Sequence, residues 1–173
     1  MNKFYVKGIT FFELIICLSI IAIAVNLGLP HLHNLLARQE SAKIKQIITQ
    51  NFHFAKAQAS MLRSRIVICA SLNGLQCHSD EWNTGFIVFN DLNENNQVNN
   101  NEQIYVHQEL ALQYGSLVWR GALARSNVFF NAEQGLPNGS NGSFYYCSTR
   151  SQPHHRIILS NMGHARSETS DSC

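Results

Sequence analysis

The polarity pattern divides the chain into three textures. Residues 9–29 are almost wholly apolar, and their one charge is Glu13. No Asp, Glu, Lys or Arg occurs anywhere in residues 14–37. A helix over that stretch would be ~36 Å long, enough to cross a hydrocarbon core of ~30 Å. Past Pro30 the pattern turns amphipathic. Ile44, Ile48, Phe52, Ala55, Ala59, Leu62 and Ile66 recur at intervals of four or three, while Lys43, Lys45, Gln46, Gln50 and Lys56 occupy the remainder. That spacing marks one face of a helix, so a single helix is predicted over residues 9–65. Beyond it lie short β-prone runs, predicting strands at 65–70, 86–90, 103–108, 116–120, 128–130, 143–147 and 156–160. Asn73-Gly74, Asn138-Gly139 and Asn141-Gly142 are read as turns between them.

Composition narrows what these elements do. A chain of 173 residues that is 45% apolar can bury a core, which excludes wholesale disorder. The formal charge of +2 argues against a histone-like polyelectrolyte binder, but the charges are segregated. Residues 1–65 carry eight basic and two acidic side chains, residues 66–119 carry no basic and six acidic ones, and residues 120–173 carry five and three. Lys3 and Lys7 precede the apolar block, which places the N-terminus in the cytoplasm and sends the chain beyond the block across the membrane. A cleavable signal peptide is the plainer alternative, but no small-residue cleavage pattern comes after the block. Glu13 also opposes it: a carboxylate typically costs about 2.5–3.5 kcal/mol at a bilayer centre and calls for a partner.

The segment Lys7-Gly8-Ile9-Thr10-Phe11-Phe12-Glu13-Leu14 resembles the prepilin leader of type IV pilins and type II secretion pseudopilins. The resemblance implies that a prepilin peptidase cuts after Gly8 and methylates Ile9, where family members more often have Phe. It also implies that Glu13 neutralises the terminal amine of a neighbouring subunit during assembly. Pro30 falls where pilins commonly bend this helix. Further along, Ile68-Cys69-Ala70-Ser71, Cys77 and Trp82-Asn83-Thr84-Gly85-Phe86-Ile87-Val88-Phe89-Asn90-Asp91 are similar to the GspH/FimT group of minor pilins and pseudopilins. So are Phe130, Gly135, the 142–147 run, Arg156-Ile157-Ile158-Leu159-Ser160 and Gly163.

That group implies an α+β, pilin-like fold: a long N-terminal transmembrane and amphipathic α-helix packed on a C-terminal antiparallel β-rich head. The expected organisation is a leader at 1–8, a helix at 9–65 whose 9–29 part is transmembrane, and a periplasmic head at 66–173. The expected role is a structural subunit that assembles into, or primes, a type IV pilus or type II secretion pseudopilus. Its partners would be the prepilin peptidase, other major and minor pilins or pseudopilins, and inner-membrane lipid. No catalytic motif such as G-x-S-x-G, a P-loop or H-E-x-x-H is present, and neither an enzyme nor a cofactor is expected.

Three smaller features carry candidate chemistry. Cys17 lies in the apolar helix, while Cys69, Cys77, Cys147 and Cys173 lie in the exported part, where disulfides persist. Three pairings are possible, and Cys69–Cys77 with Cys147–Cys173 is favoured over the others and over zinc. Asp91, Asn93, Asn95, Gln97, Asn99 and Glu102 have the spacing of a calcium loop. Its glycine is replaced by Asn96 and its flanks read as strands, so a polar hairpin tip is preferred and no metal is assigned. Last, DNA-binding members of the FimT group carry Gly-Arg-x-Arg near the C-terminus, and this chain has Gly163-His164-Ala165-Arg166. Arg150, Arg156, His164 and Arg166 therefore form a candidate contact with double-stranded DNA in natural transformation. Histidine lacks the permanent charge and bidentate fork of arginine, so a solvated surface is preferred there. Phe144, Tyr145 and Tyr146 are read as strand residues of the core ahead of a base-stacking role.

Overall fold

The computed structural model describes residues 10–150 and 152–173. The leader, Gly8 and Ile9 lie outside the described residues. The chain forms two compact units, residues 1–36 and 37–173, and one helix, α1 (Phe11–Leu62), contributes to both.

In the first unit the helix starts at Thr10, whose hydroxyl accepts the backbone N–H of Glu13 at 3.3 Å. Thr-x-x-Glu is a capping-box spacing, and a carboxylate in the first turn also complements the positive end of the helix dipole. Two polar side chains further along, Ser19 and Asn26, bond back onto their own helix. Ser19 Oγ donates to the carbonyl of Ile15 at 2.8 Å, and Asn26 Nδ2 donates to that of Ala22 at 2.7 Å. Polar groups satisfied this way make no demand on an apolar surrounding. The large apolar side chains of the segment are exposed in the subunit, and Pro30 lies within the helix.

In the second unit the same helix buries Ala37, Ser41, Ile44, Ile48, Phe52, Ala55 and Ala59. The predicted stripe thus runs from Ala37 to Ala59 and stops earlier than the sequence suggests. Leu62 is exposed and Ile66 belongs to a strand, because Arg63 takes a left-handed conformation (φ 49°) that ends the helix between them.

Among the described residues, eight strands follow in the head: β1 (Arg65–Ala70), β2 (Gly85–Asp91), β3 (Ile104–Glu109), β4 (Gly115–Gly121), β5 (Val128–Phe130), β6 (Gly142–Ser148), β7 (His154–Leu159) and β8 (Ala165–Ser170). They form two antiparallel sheets, ordered β3-β2-β1-β5 and β4-β6-β7-β8. The α1 stripe and the inward faces of both sheets share one core. Phe144 is at its centre, with ring centroids 5.9 Å from Phe52 and 4.7 Å from both Trp82 and Trp119. The first sheet is buried on its other face as well, where Val67, Cys69, Ile87, Phe89 and Phe129 pack under Cys77, Val98 and Ile104. Burial on both faces explains why β1 and β2 read as unbroken apolar runs without alternation.

Two expectations need correction. Asn141-Gly142 is not a turn: Gly142 opens β6, and a Cβ there would stand 2.4 Å from the carbonyl oxygen of Arg120. Glycine is present for close backbone approach. The strand β8 is absent from the predicted set, because Ala165–Ser170 has no apolar alternation. It forms by pairing along the whole of β7, as the polar edge of its sheet.

Candidate functional site

Residues 11–36 present a continuous series of exposed apolar side chains. Phe11, Phe12, Ile20, Ile23 and Leu27 are each more than half exposed, and the helix is long and apolar enough to cross a membrane. Glu13 is the one ionisable acid in this unit's described residues. Its backbone N–H is capped by Thr10, so it has a local structural role besides any intermolecular one.

In the head, the two disulfides are Cys69–Cys77 and Cys147–Cys173, and Cys17 is free and exposed. The first closes an eight-residue separation beside β1, and the second ties the tail to β6 across a separation of 26. Arg120 reinforces that tie by donating to the carbonyl of Cys173 at 3.3 Å.

The loop with calcium-like spacing is held by its own groups. Asp91 is buried, and its carboxylate accepts the N–H groups of Asn95 (3.1 Å) and Asn96 (2.9 Å). Glu102 accepts the N–H groups of Leu92 (2.9 Å) and Asn99 (3.0 Å). Arg65 supplies the positive charge, with Nε 3.7 Å from Asp91, Nη1 3.4 Å from Glu94, and Nη2 donating to Asn96 at 2.7 Å. A guanidinium therefore occupies the electrostatic role that a cation would have. Among the described residues no group of three His, Cys, Asp or Glu is placed to hold a metal ion. The pattern of alternating oxygen ligands is legible in sequence, but the distant Arg65 is not.

The candidate DNA residues are not all brought together. Arg150 lies in the β6–β7 turn and His164 in the β7–β8 turn, so the length of β7, ~20 Å, separates them. Arg156 and Arg166 share the outward face of the second sheet, since Ile157 and Leu159 point inward. The register adds Arg120, which no motif in the sequence marks, and places Tyr145 between Arg120 and Arg156. Arg120 lies 4.5 Å and Arg156 5.4 Å from that ring centroid. Arg156 is further engaged by Ser143 and by Glu168 at 3.4 Å, whereas Arg166 is exposed. Phe144 and Tyr146 are core residues, and Tyr145 alone of the three faces outward.

The polar contact that Glu40 of α1 makes with the head likewise has no sequence signal. The Glu40 carboxylate accepts the hydroxyl of Tyr146 at 2.7 Å and the N–H groups of Gln113 (2.8 Å) and Tyr114 (3.1 Å). It thereby joins the helix to β6 and to the start of β4. Burial raises the Tyr146 phenol well above its ordinary range, and the Glu40 hydrogen bond and negative charge raise it further. On the same side of α1, His155 is pushed below its ordinary value, first by burial and then by the positive charges of Lys45 and His154.

Comparison with known proteins agrees with this architecture. Residues 46–163 match the family model for type II transport protein GspH. No curated protein matches the chain by sequence. Two crystal structures of the type IV minor pilin FimU from Pseudomonas aeruginosa strain PAO1 share the fold. The P21 form is 18% identical, covering 79% of this chain and 96% of that one at a TM-score of 0.50. The P65 form is 16% identical, covering 76% and 98% at a TM-score of 0.51. The apolar N-terminal helix, its stripe against two antiparallel sheets and the match over most of the head lead to one conclusion: the chain belongs to the GspH family of minor pilins and pseudopilins, and is a membrane-anchored structural subunit, not an enzyme.

Proposed function

We propose that this protein is a minor pilin or pseudopilin that is processed after Gly8, methylated at Ile9, and drawn from the inner membrane into a type IV pilus or type II secretion pseudopilus. Prepilin peptidase and other pilins or pseudopilins are its partners, and lipid surrounds residues 9–29 until assembly. The N-terminus is cytoplasmic before processing and the head, residues 66–173, is periplasmic. The observation that carries this reading is the helix of residues 11–36, with large apolar side chains exposed along it and one carboxylate in its first turn. An isolated carboxylate is costly in hydrocarbon, and a neighbour's terminal amine removes that cost only when subunits pack. The test is Glu13→Ala. It should leave the protein in the membrane fraction and abolish pilus- or secretion-dependent phenotypes in a complemented deletion strain. Wild-type phenotypes would refute the assembly role.

A second reading, binding of duplex DNA for uptake in natural transformation, is favoured by Arg120 and Arg156 beside Tyr145, with Arg166 on the same sheet face. Arg166, exposed at the edge strand, would make the leading phosphate contact. Full-length protein in nanodiscs should retard duplex DNA at low salt, with a loss on Arg166→Ala and a salt slope of ~−0.9 per phosphate neutralised. Absence of retardation would dismiss this reading.

A further inference from the structure

Within the unit of residues 37–173, α1 and the segment that leads into β7 enclose a cavity of about 240 Å³. Arg38, Ser41 and Lys45 line it from one face of the helix, and Gln152 and His155 line it from the other side. Arg38, Lys45 and His155 are basic or can become so, and no described lining residue is acidic. Glu40, the acid nearest in sequence, has its carboxylate committed to Tyr146, Gln113 and Tyr114. Arg38 is oriented: its Nε donates to Gln152 Oε1 at 3.0 Å, which leaves the two terminal nitrogens of the fork for another acceptor.

Ser41 adds a second, independent sign of an occupant. It is only 6% exposed, and among the described residues its hydroxyl has no hydrogen-bond partner. A buried hydroxyl ordinarily has one, so this donor is left for a group from outside the subunit. The positive charge is uncompensated as well. His155 is held below its ordinary value, first by burial and then by Lys45 and His154.

The group that fits these donors is a carboxylate. A guanidinium fork takes both of its oxygens in parallel hydrogen bonds, and a lysine beside it supplies a point charge. The head does not provide that carboxylate itself. Among the described residues its ion pairs use Arg65 and Arg156, so no lysine or arginine of α1 is paired. Arg38 and Lys45 are exposed, which leaves the cavity within reach of a neighbouring protein surface. An ion pair closed there fixes the register of two surfaces and rejects uncharged partners.

We propose that this cavity seats an Asp or Glu side chain presented by an adjacent pilin or pseudopilin subunit, with Arg38 and Lys45 as its cations and Ser41 and His155 as further donors. The proposal rests on the assembly reading above and names the chemistry of one contact that the head makes in it.

The test is zero-length coupling with a water-soluble carbodiimide, applied to envelopes of a strain in which the full-length chain supports pilus- or secretion-dependent phenotypes. The reagent joins an amine to a carboxylate that already touches it, and carries away the water lost as the amide forms. Peptide mass spectrometry of products heavier than the subunit should find Lys45 joined to an Asp or Glu of another pilin or pseudopilin. Lys43, exposed on the same helix and outside the cavity, is the internal control and should be joined severalfold less. Arg38→Gln should lower the Lys45 yield about tenfold, the usual loss for one charge-assisted hydrogen bond. Ala42→Phe fills the cavity while keeping every charge, and should abolish the link; Ala42 is exposed, so the larger ring does not disturb the core. Lys43→Gln should leave the link intact. Equal yields at Lys43 and Lys45, or a link that survives Ala42→Phe, would assign a diffuse basic surface and overturn the seat. Lys45 joined only to acids of its own chain, or to none, would overturn it too. Glu13→Ala reads assembly separately: phenotypes that need Glu13 in a strain without the Lys45 link refute the cavity alone, whereas phenotypes indifferent to Glu13 refute the assembly role.

Discussion

The two halves of α1 have similar apolar residues and opposite fates. Between Phe11 and Leu36 no side chain is buried, and Phe11, Leu27 and Ile23 are 78%, 67% and 62% exposed. From Ala37 onward every third or fourth residue is buried, and Phe52 is only 2% exposed. Both halves carry polar side chains that bond back onto the helix, Asn51 and Ser60 among them in the second, but the second half also has a bond that leaves it. Ser19 and Asn26 bond to their own helix, whereas Glu40 reaches β6 and the segment that leads into β4. Hydrophobicity thus reserves a surface without saying what covers it. The first half leaves its surface uncovered in the subunit, and the second commits its stripe to the subunit's own sheets.

The sharpest way to break this contrast is a pair of truncations. Phe52→Ala removes a side chain that touches Phe130 and Phe144, and should cost about 3–5 kcal/mol of head stability in urea unfolding. Ile20→Ala should shift the same transition by less than ~0.5 kcal/mol, because its side chain is exposed in the subunit. Equal losses would show that the halves are not distinct.

A smaller effect tests how the second half is docked. Glu40→Ala leaves the Tyr146 hydroxyl and two backbone N–H groups without their acceptor, and should cost about 2–3 kcal/mol in thermal or urea unfolding. Ser19→Ala, whose bond is local and exposed, should be near neutral.

The smallest effect is a pH dependence. The folded state holds the Tyr146 phenol above its ordinary pKa, so the unfolded chain loses this proton first. The contribution is complete below pH ~10, the ordinary tyrosine value, and is lost as pH rises beyond it toward the folded value. Unfolding midpoints measured from pH 8 to 11 should fall more steeply in the wild type than in Tyr146→Phe. Parallel curves would mean that the Glu40–Tyr146 contact does not hold the helix to β6.

How much of this is legible in the sequence depends on the range of each interaction. The α1 stripe from Ile44 to Ala59 comes from local periodicity, since burial on one face imposes it directly, and seven of the eight strands come from β-prone runs bounded by turn residues. The eighth strand is invisible because Ala165–Ser170 derives its structure from hydrogen bonds to β7 and not from its own side chains. The Asn-rich loop reads correctly as alternating acceptors, but its cation is Arg65, some thirty residues away in sequence, and no spacing rule connects them. The arginine face is half visible: Arg156 and Arg166 are close in sequence, while Arg120 joins them only through the β4–β6–β7 register.

The sequence by itself determined which segments are apolar throughout, which are striped and which alternate, because those patterns record the solvent that each residue meets. It also determined the leader-like motif and the early glutamate, which are local chemistry. Only the tertiary structure decided that Glu40 bonds Tyr146, that Arg65 neutralises Asp91, and that Arg38, Lys45 and His155 surround one cavity. Each of those pairs residues distant along the chain, and such contacts depend on how the helix and sheets pack. That packing is set by a sum of small side-chain fits that no single segment encodes.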